Sequence, residues 1–203
     1  SVLRTTPVVR VLFAIMVLFG AVYGSFDTSA ISYTESIGMA MLASIVFAAE
    51  SVFSVVVSFL FGLARFKMPM HRQVVVFAVM FGLLYGLFMF VGSPTSLLMI
   101  SCLSAMGYAP LYITANLACE RAVPIEHLTE ALSWIASGMS IGMVIGPVSA
   151  GAVVDGFGPL AGFDLTAGFA LAIVVLVLCC APVLRKRLRP TGVNESQREG
   201  GAR

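Results

Sequence analysis

The chain has 203 residues, of which 59% are hydrophobic and 11% charged, with a mean hydropathy of +1.00. A soluble domain usually carries about 25% charged residues, so this composition excludes a water-soluble globular fold, and the net charge of +2 does not point to nucleic acid as a partner. The apolar residues come in long runs, each near the ~20 residues needed to cross a bilayer, which predicts an all-α, multi-pass membrane protein embedded in a lipid bilayer.

Six spans are predicted, at about 7–33, 38–63, 73–92, 95–118, 128–153 and 161–184. In the first, Asp27 lies in the outer third and shares a helical face with Gly20, Tyr23, Gly24 and Thr34. That face makes Tyr23 and Asp27 candidates for a cavity wall, although Asp27 is also shallow enough to be solvated from the outer surface.

The second span contains SIVFAAESVFSVVV, Ser44–Val57, with a carboxylate, Glu50, near its middle. At 100° per residue Ser54 lies about 40° from Glu50, Ser58 about 80°, Ser51 about 100° and Ser44 about 120°. The polar residues thus occupy one third of the circumference, which turns Glu50 toward the bundle interior or a water-filled cavity. A charge at that depth costs at least ~3 kcal/mol on insertion scales. No Lys or Arg lies inside any span, so the expected partner of Glu50 is a proton, a cationic substrate or a residue from outside this chain. The bland alternative is a protonated Glu50 hydrogen-bonding a neighbouring helix. Ser54, on the same stripe, joins the candidates for the cavity wall.

The third span, VVVFAVMFGLLYGLFMFV, is apolar on nearly every face and is expected to face lipid. The turn GSPTS (Gly92–Ser96) leads into the fourth. There Ser104, Tyr108, Tyr112 and Asn116 recur every four residues, around a Pro110 that should loosen the helix. Tyr108, Tyr112 and Asn116 are candidates to stack on or hydrogen-bond a small-molecule substrate, against ordinary interhelical hydrogen bonding.

In the fifth span, SGMSIGMVIGPVSAG places Gly138, Gly142, Gly146, Pro147 and Gly151 where they predict a smooth ridge for close helix contact, which also serves gating between moving bundles. The formal G-x-S-x-G at Gly138–Gly142 is not a hydrolase site. That chemistry needs a preceding strand and a nearby histidine, and His71 and His127 are expected in the connections. After GFGPLAG (Gly156–Gly162), the sixth span, AGFALAIVVLVLCCAPVL, is again apolar all round. The tail at 185–203 is polar and expected to be disordered. Its RKRLRP start reads as a stop signal and an anionic-lipid contact, and the Asn194-Glu195-Ser196 sequon carries no weight in a cytoplasmic tail.

All twelve Lys and Arg residues fall in four places: Arg4 and Arg10; Arg65, Lys67 and Arg72; Arg121; and the stretch from Arg185 to Arg203. With six spans all four lie on one side, so the positive-inside rule puts both ends in the cytoplasm. The four cysteines have no CxxC or Cys/His spacing and read as small buried hydrophobes. No metal, cofactor or enzymatic constellation is predicted. Spans three and six look peripheral and the others interior, a three-plus-three pattern in which the second unit is inverted. Ser1 is not preceded by a methionine and no signal peptide is visible, so the chain is expected to be a piece of something longer.

These features resemble the C-terminal half, helices seven to twelve, of a major facilitator superfamily transporter. CERAVPIEHLTEALSWIASGMSIGMVIGPVSAGAVVDGFGPLAGF (Cys119–Phe163) is similar to the tenth-to-eleventh-helix connection and glycine-rich eleventh helix. Within it, IGPVSAGAVVDGFG is similar to the G-P-x-x-x-G pattern of efflux-type members, and LTEALSW (Leu128–Trp134) resembles bacterial drug or sugar efflux proteins. FGLARFKMPMHR (Phe61–Arg72) stands where the family has its basic loop. Phe66 replaces the usual aspartate and Pro69 the usual glycine, so a gating salt bridge there is not expected. FGAVYGSF (Phe19–Phe26) completes the likeness.

The resemblance implies alternating access with an N-terminal six-helix half, proton coupling, efflux of a drug- or sugar-like molecule, and residence in a bacterial cytoplasmic membrane. It also implies that helices seven, eight, ten and eleven line the cavity. The alternative is a stand-alone six-helix scaffold or sensor, or a homodimeric transporter.

Overall fold

A computed structural model describes residues 6–63 and 68–187. Among them are six helices long and apolar enough to span a membrane. They are α1 (Pro7–Ser36), α2 (Ala40–Leu63), α3 (Met70–Gly86, continued by a 3-10 turn, Leu87–Phe90), α4 (Pro94–Ala122), α5 (Leu128–Phe157, after a 3-10 turn, Ile125–His127) and α6 (Pro159–Arg187). α1, α4, α5 and α6 overrun the predicted spans, because polar end residues continue the backbone hydrogen bonding past the apolar window, whereas α2 starts, and the 3-10 turn after α3 ends, two residues inside the predicted bounds. His71 falls in the first turn of α3 rather than in the connection before it.

Local chemistry sets the boundaries. Pro7, Pro94 and Pro159 open their helices, where a missing N–H costs nothing. Ser93 and Ser96 form a reciprocal capping box at the start of α4, and the Ser93 hydroxyl accepts from the Ser96 N–H at 3.1 Å. Gly158 stops α5 with φ +91°, a conformation that side chains rarely adopt. The predicted disordered tail lies outside the described residues from position 188 onward, as do Arg4, Arg65 and Lys67.

The packing repeats. α1 lies against α5 and α6, α4 lies against α2 and α3, and α3 also packs on α6. Exchanging α1 with α4, α2 with α5 and α3 with α6 reproduces these neighbours. Consecutive helices joined by short connections run antiparallel, so α4, three helices on from α1, runs in the opposite direction. This is the three-plus-three inverted arrangement.

The tightest seam joins α1 to α5. A Cβ on Gly142 would strike Val17 O and come within 2.9 Å of Gly20 Cα. One on Gly146 would lie 2.8 Å from Ser25 N, and one on Gly138 3.0 Å from Phe13 O. In α1, Gly20 faces Met139 and Gly24 faces Pro147. Glycines on both helices therefore bring the backbones into contact, where dispersion and interhelical hydrogen bonds hold membrane helices together. Gly151 does not belong to this ridge, since nothing lies within 4 Å of its Cβ position. A buried hydrogen bond from the Thr166 hydroxyl to Ser25 Oγ (3.0 Å) ties α6 to the same helix.

α3 is not exposed all round: Val76, Leu83, Met89 and Phe90 are exposed, and its other side is packed. Of the apolar window of α3, 50% is buried, against 17% for α2 and 22% for α5. Phe77, Phe81, Tyr85 and Phe88 of this segment all lie in the core. A uniformly apolar helix carries no polar mark of its inner face, so its composition suits a core position as well as a lipid-facing one. Nor are all the cysteines buried: Cys119 is, Cys102 and Cys180 are half-buried, and Cys179 is exposed, all four as free thiols.

Candidate functional site

Glu50 is 5% exposed although its helix is the least buried of the six. With Ala43 and Val46 it forms the narrow buried stripe of α2. Ser54 and Ser58 beside it are half-buried, whereas Ser44 and Ser51 are exposed. The hydroxyls of Ser51 and Ser58 donate to the carbonyls of Phe47 (2.8 Å) and Ser54 (2.7 Å) one turn back, which satisfies them inside an apolar medium.

The partner of Glu50 is in this chain. The Tyr85 hydroxyl donates to Glu50 Oε1 at 3.0 Å, and Tyr85 is fully buried. A hydrogen bond to a neighbouring helix is what the bland alternative expects, and a neutral phenol supplies no counter-charge to the carboxylate. Sequence reasoning missed Tyr85; its signal is a single phenol in the apolar run of α3. Buried Ser104 of α4 stands beside the same hydroxyl. α2, α3 and α4 therefore meet at one small polar cluster.

A cavity of about 250 Å³ opens next to it, lined by Tyr23, Glu50, Ser51, Ser54, Val55 and Tyr108. Tyr23 and Tyr108 face each other with ring centroids 5.4 Å apart. Phe19 packs on Tyr108 at 5.0 Å, and Tyr108 stacks on Tyr112 at 6.3 Å with an interplanar angle of 13°. Offset pairs at these separations are attractive beyond their buried area. The cavity wall thus combines two aromatic rings, Tyr23 and Tyr108, with the Glu50 carboxyl, two serines and Val55.

The other expected cavity residues lie at different distances from this centre. Asp27 is half-buried one turn beyond Tyr23. Tyr112 is exposed at the end of the aromatic stack. Asn116 is half-buried and gives its side-chain N–H to the Tyr112 carbonyl at 2.8 Å, so its polar group is turned back on its own helix. Gly138, Gly142, Gly146 and Pro147 lie in the α1–α5 seam, away from the cavity. Among the described residues no group of three or more His, Cys, Asp or Glu side chains is placed to hold a metal ion.

The model of one protein family, the Major Facilitator Superfamily, matches residues 72–203. The chain belongs to the Major Facilitator Superfamily. Its members move solutes across membranes, so this chain is part of an integral, multi-pass membrane transport protein. The match covers α3 to α6 and begins after Glu50 and Asp27, whose placement rests on geometry alone. Comparison with curated proteins gave no match.

Proposed function

We propose that this superfamily chain is half of a proton-coupled exporter of small organic molecules, with Glu50 as the group that gains and loses the proton. The observation that carries this reading is a buried carboxylate, held by Tyr85 Oη at 3.0 Å, beside two tyrosine rings in a cavity wall. Intramembrane acids are costly and are retained where they handle ions or substrate. A carboxyl group with one dedicated donor and an open cavity on its other side can exchange a proton with water or pair with a cation.

In this reading Tyr23, Tyr108 and Tyr112 stack on the substrate, Ser54 hydrogen-bonds to it and Asp27 adds negative potential for a cationic group. Asn116 has a lesser part, since its amide is already engaged. Alternating access proceeds against an N-terminal six-helix half. The exposed faces of α2 and α5 support this, because Met41, Val55, Phe59, Val144 and Val148 are uncovered in this bundle. The distribution of Lys and Arg supports placing both ends in the cytoplasm.

The test is transport of a fluorescent lipophilic cation by the full-length protein in inverted membrane vesicles. Glu50→Gln keeps the shape and a hydrogen-bond acceptor but cannot ionise. It is expected to abolish accumulation driven by a pH gradient. Wild-type rates with unchanged pH dependence would remove Glu50 from the mechanism.

A further inference from the structure

A larger cavity lies elsewhere. It is a groove of about 880 Å³ between the start of α3 and the end of α6, and it shares no residue with the Glu50 cavity. Arg72, His71 and Arg185 stand at its rim, while Val75, Val76 and Pro182 form its walls further into the spans. Arg72 lies two residues inside the start of α3, and Arg185 two residues before the end of α6, so both guanidinium groups belong at interfacial depth. Both are exposed, and so are Val76 and Pro182, which leaves the groove open on the outside of the bundle. Among the described residues neither arginine has an ion-pair partner.

We propose that this groove is a binding site for an anionic phospholipid, with the phosphate held by Arg72 and Arg185 and the acyl chains laid along Val75, Val76 and Pro182. The order of chemistry along the groove, cationic at the rim and apolar below, matches that of a phospholipid from headgroup to tail. Guanidinium groups bind phosphate oxygens in a bidentate fork. Basic pockets between membrane helices on the cytoplasmic side take up anionic headgroups. The volume falls within the roughly 300–1,000 Å³ of small-molecule sites. The proposal rests on the orientation that places this Lys- and Arg-rich end in the cytoplasmic leaflet.

The test uses the full-length protein purified in mild detergent and offered equal amounts of phosphatidylglycerol and phosphatidylcholine, with retained lipid read by native mass spectrometry. Phosphatidylglycerol should be preferred, by about five-fold for each arginine. The pair Arg72→Gln and Arg185→Gln should bring the two lipids to parity. Val76→Trp, at a 45% exposed position, should fill the groove and reduce retention with both arginines intact. Millimolar inorganic phosphate should not strip the lipid. Equal retention of the two lipids by the wild-type protein would overturn the proposal, and that outcome needs no variant to fold. So would a wild-type preference in the double variant, unchanged retention in Val76→Trp, or displacement of the lipid by phosphate.

Discussion

The phenolic oxygen of Tyr85 stands 3.0 Å from Oε1 of Glu50, joining α3 to α2 through two buried side chains. The same helices also meet at Phe61 and Phe77, whose rings cross at 5.1 Å. The hydrogen bond thus fixes the acid at the edge of the cavity and secures a helix that is otherwise sparsely packed in this bundle.

Tyr85→Phe should therefore cost stability without changing shape. Hydrogen bonds between membrane helices are worth about 0.6 kcal/mol on average and up to about 1.7, and the upper end is expected here because the acceptor is a buried carboxyl. Thermal unfolding of the purified full-length protein checks this. Tyr112→Phe, whose side chain is exposed, should unfold like the wild type.

The glycine seam makes a paired prediction. Gly142→Leu places a side chain against the α1 backbone at Val17 and Gly20, and overpacking of this kind typically costs about 1–3 kcal/mol. Gly151→Ala adds a methyl group where nothing lies within 4 Å, and should change stability by less than about 0.5 kcal/mol. Unfolding temperatures that fall equally in both variants would contradict the assignment of the seam.

Tyr108 lies at the centre of the aromatic cluster, in contact with Phe19, Tyr23 and Tyr112. Tyr108→Ala should weaken the apparent affinity for a flat cationic dye by about 2- to 10-fold, the worth of one aromatic pair. Tyr108→Phe should retain most of it. Dye-binding fluorescence titration separates the two.

Much of this was legible in the chain itself. The inward orientation of Glu50 was suggested by the serines near it on α2, of which Ser54 and Ser58 are half-buried, although Ser44 and Ser51 at the far edge of that polar third are exposed. The glycines of α5 likewise announce a close contact. Gly151 continues their spacing, yet it meets nothing, since contact depends on where the facing helix lies and not on periodicity. Tyr85 was hidden for a different reason. One hydroxyl in a run of uniformly apolar residues has no period, so neither its direction nor its partner can be read from α3 alone. The half-buried position of α3 was hidden by the same uniformity. The groove between Arg72 and Arg185 joins residues far apart in sequence, and only the packing of α3 on α6 brings them together.

The central claim is that Glu50 changes its protonation state, and infrared difference spectroscopy of the full-length protein in lipid tests it without knowledge of the substrate. The account predicts a protonated-carboxyl band in the wild-type protein that responds to pH and is absent from Glu50→Gln. Identical spectra from the two proteins across the titration would contradict it.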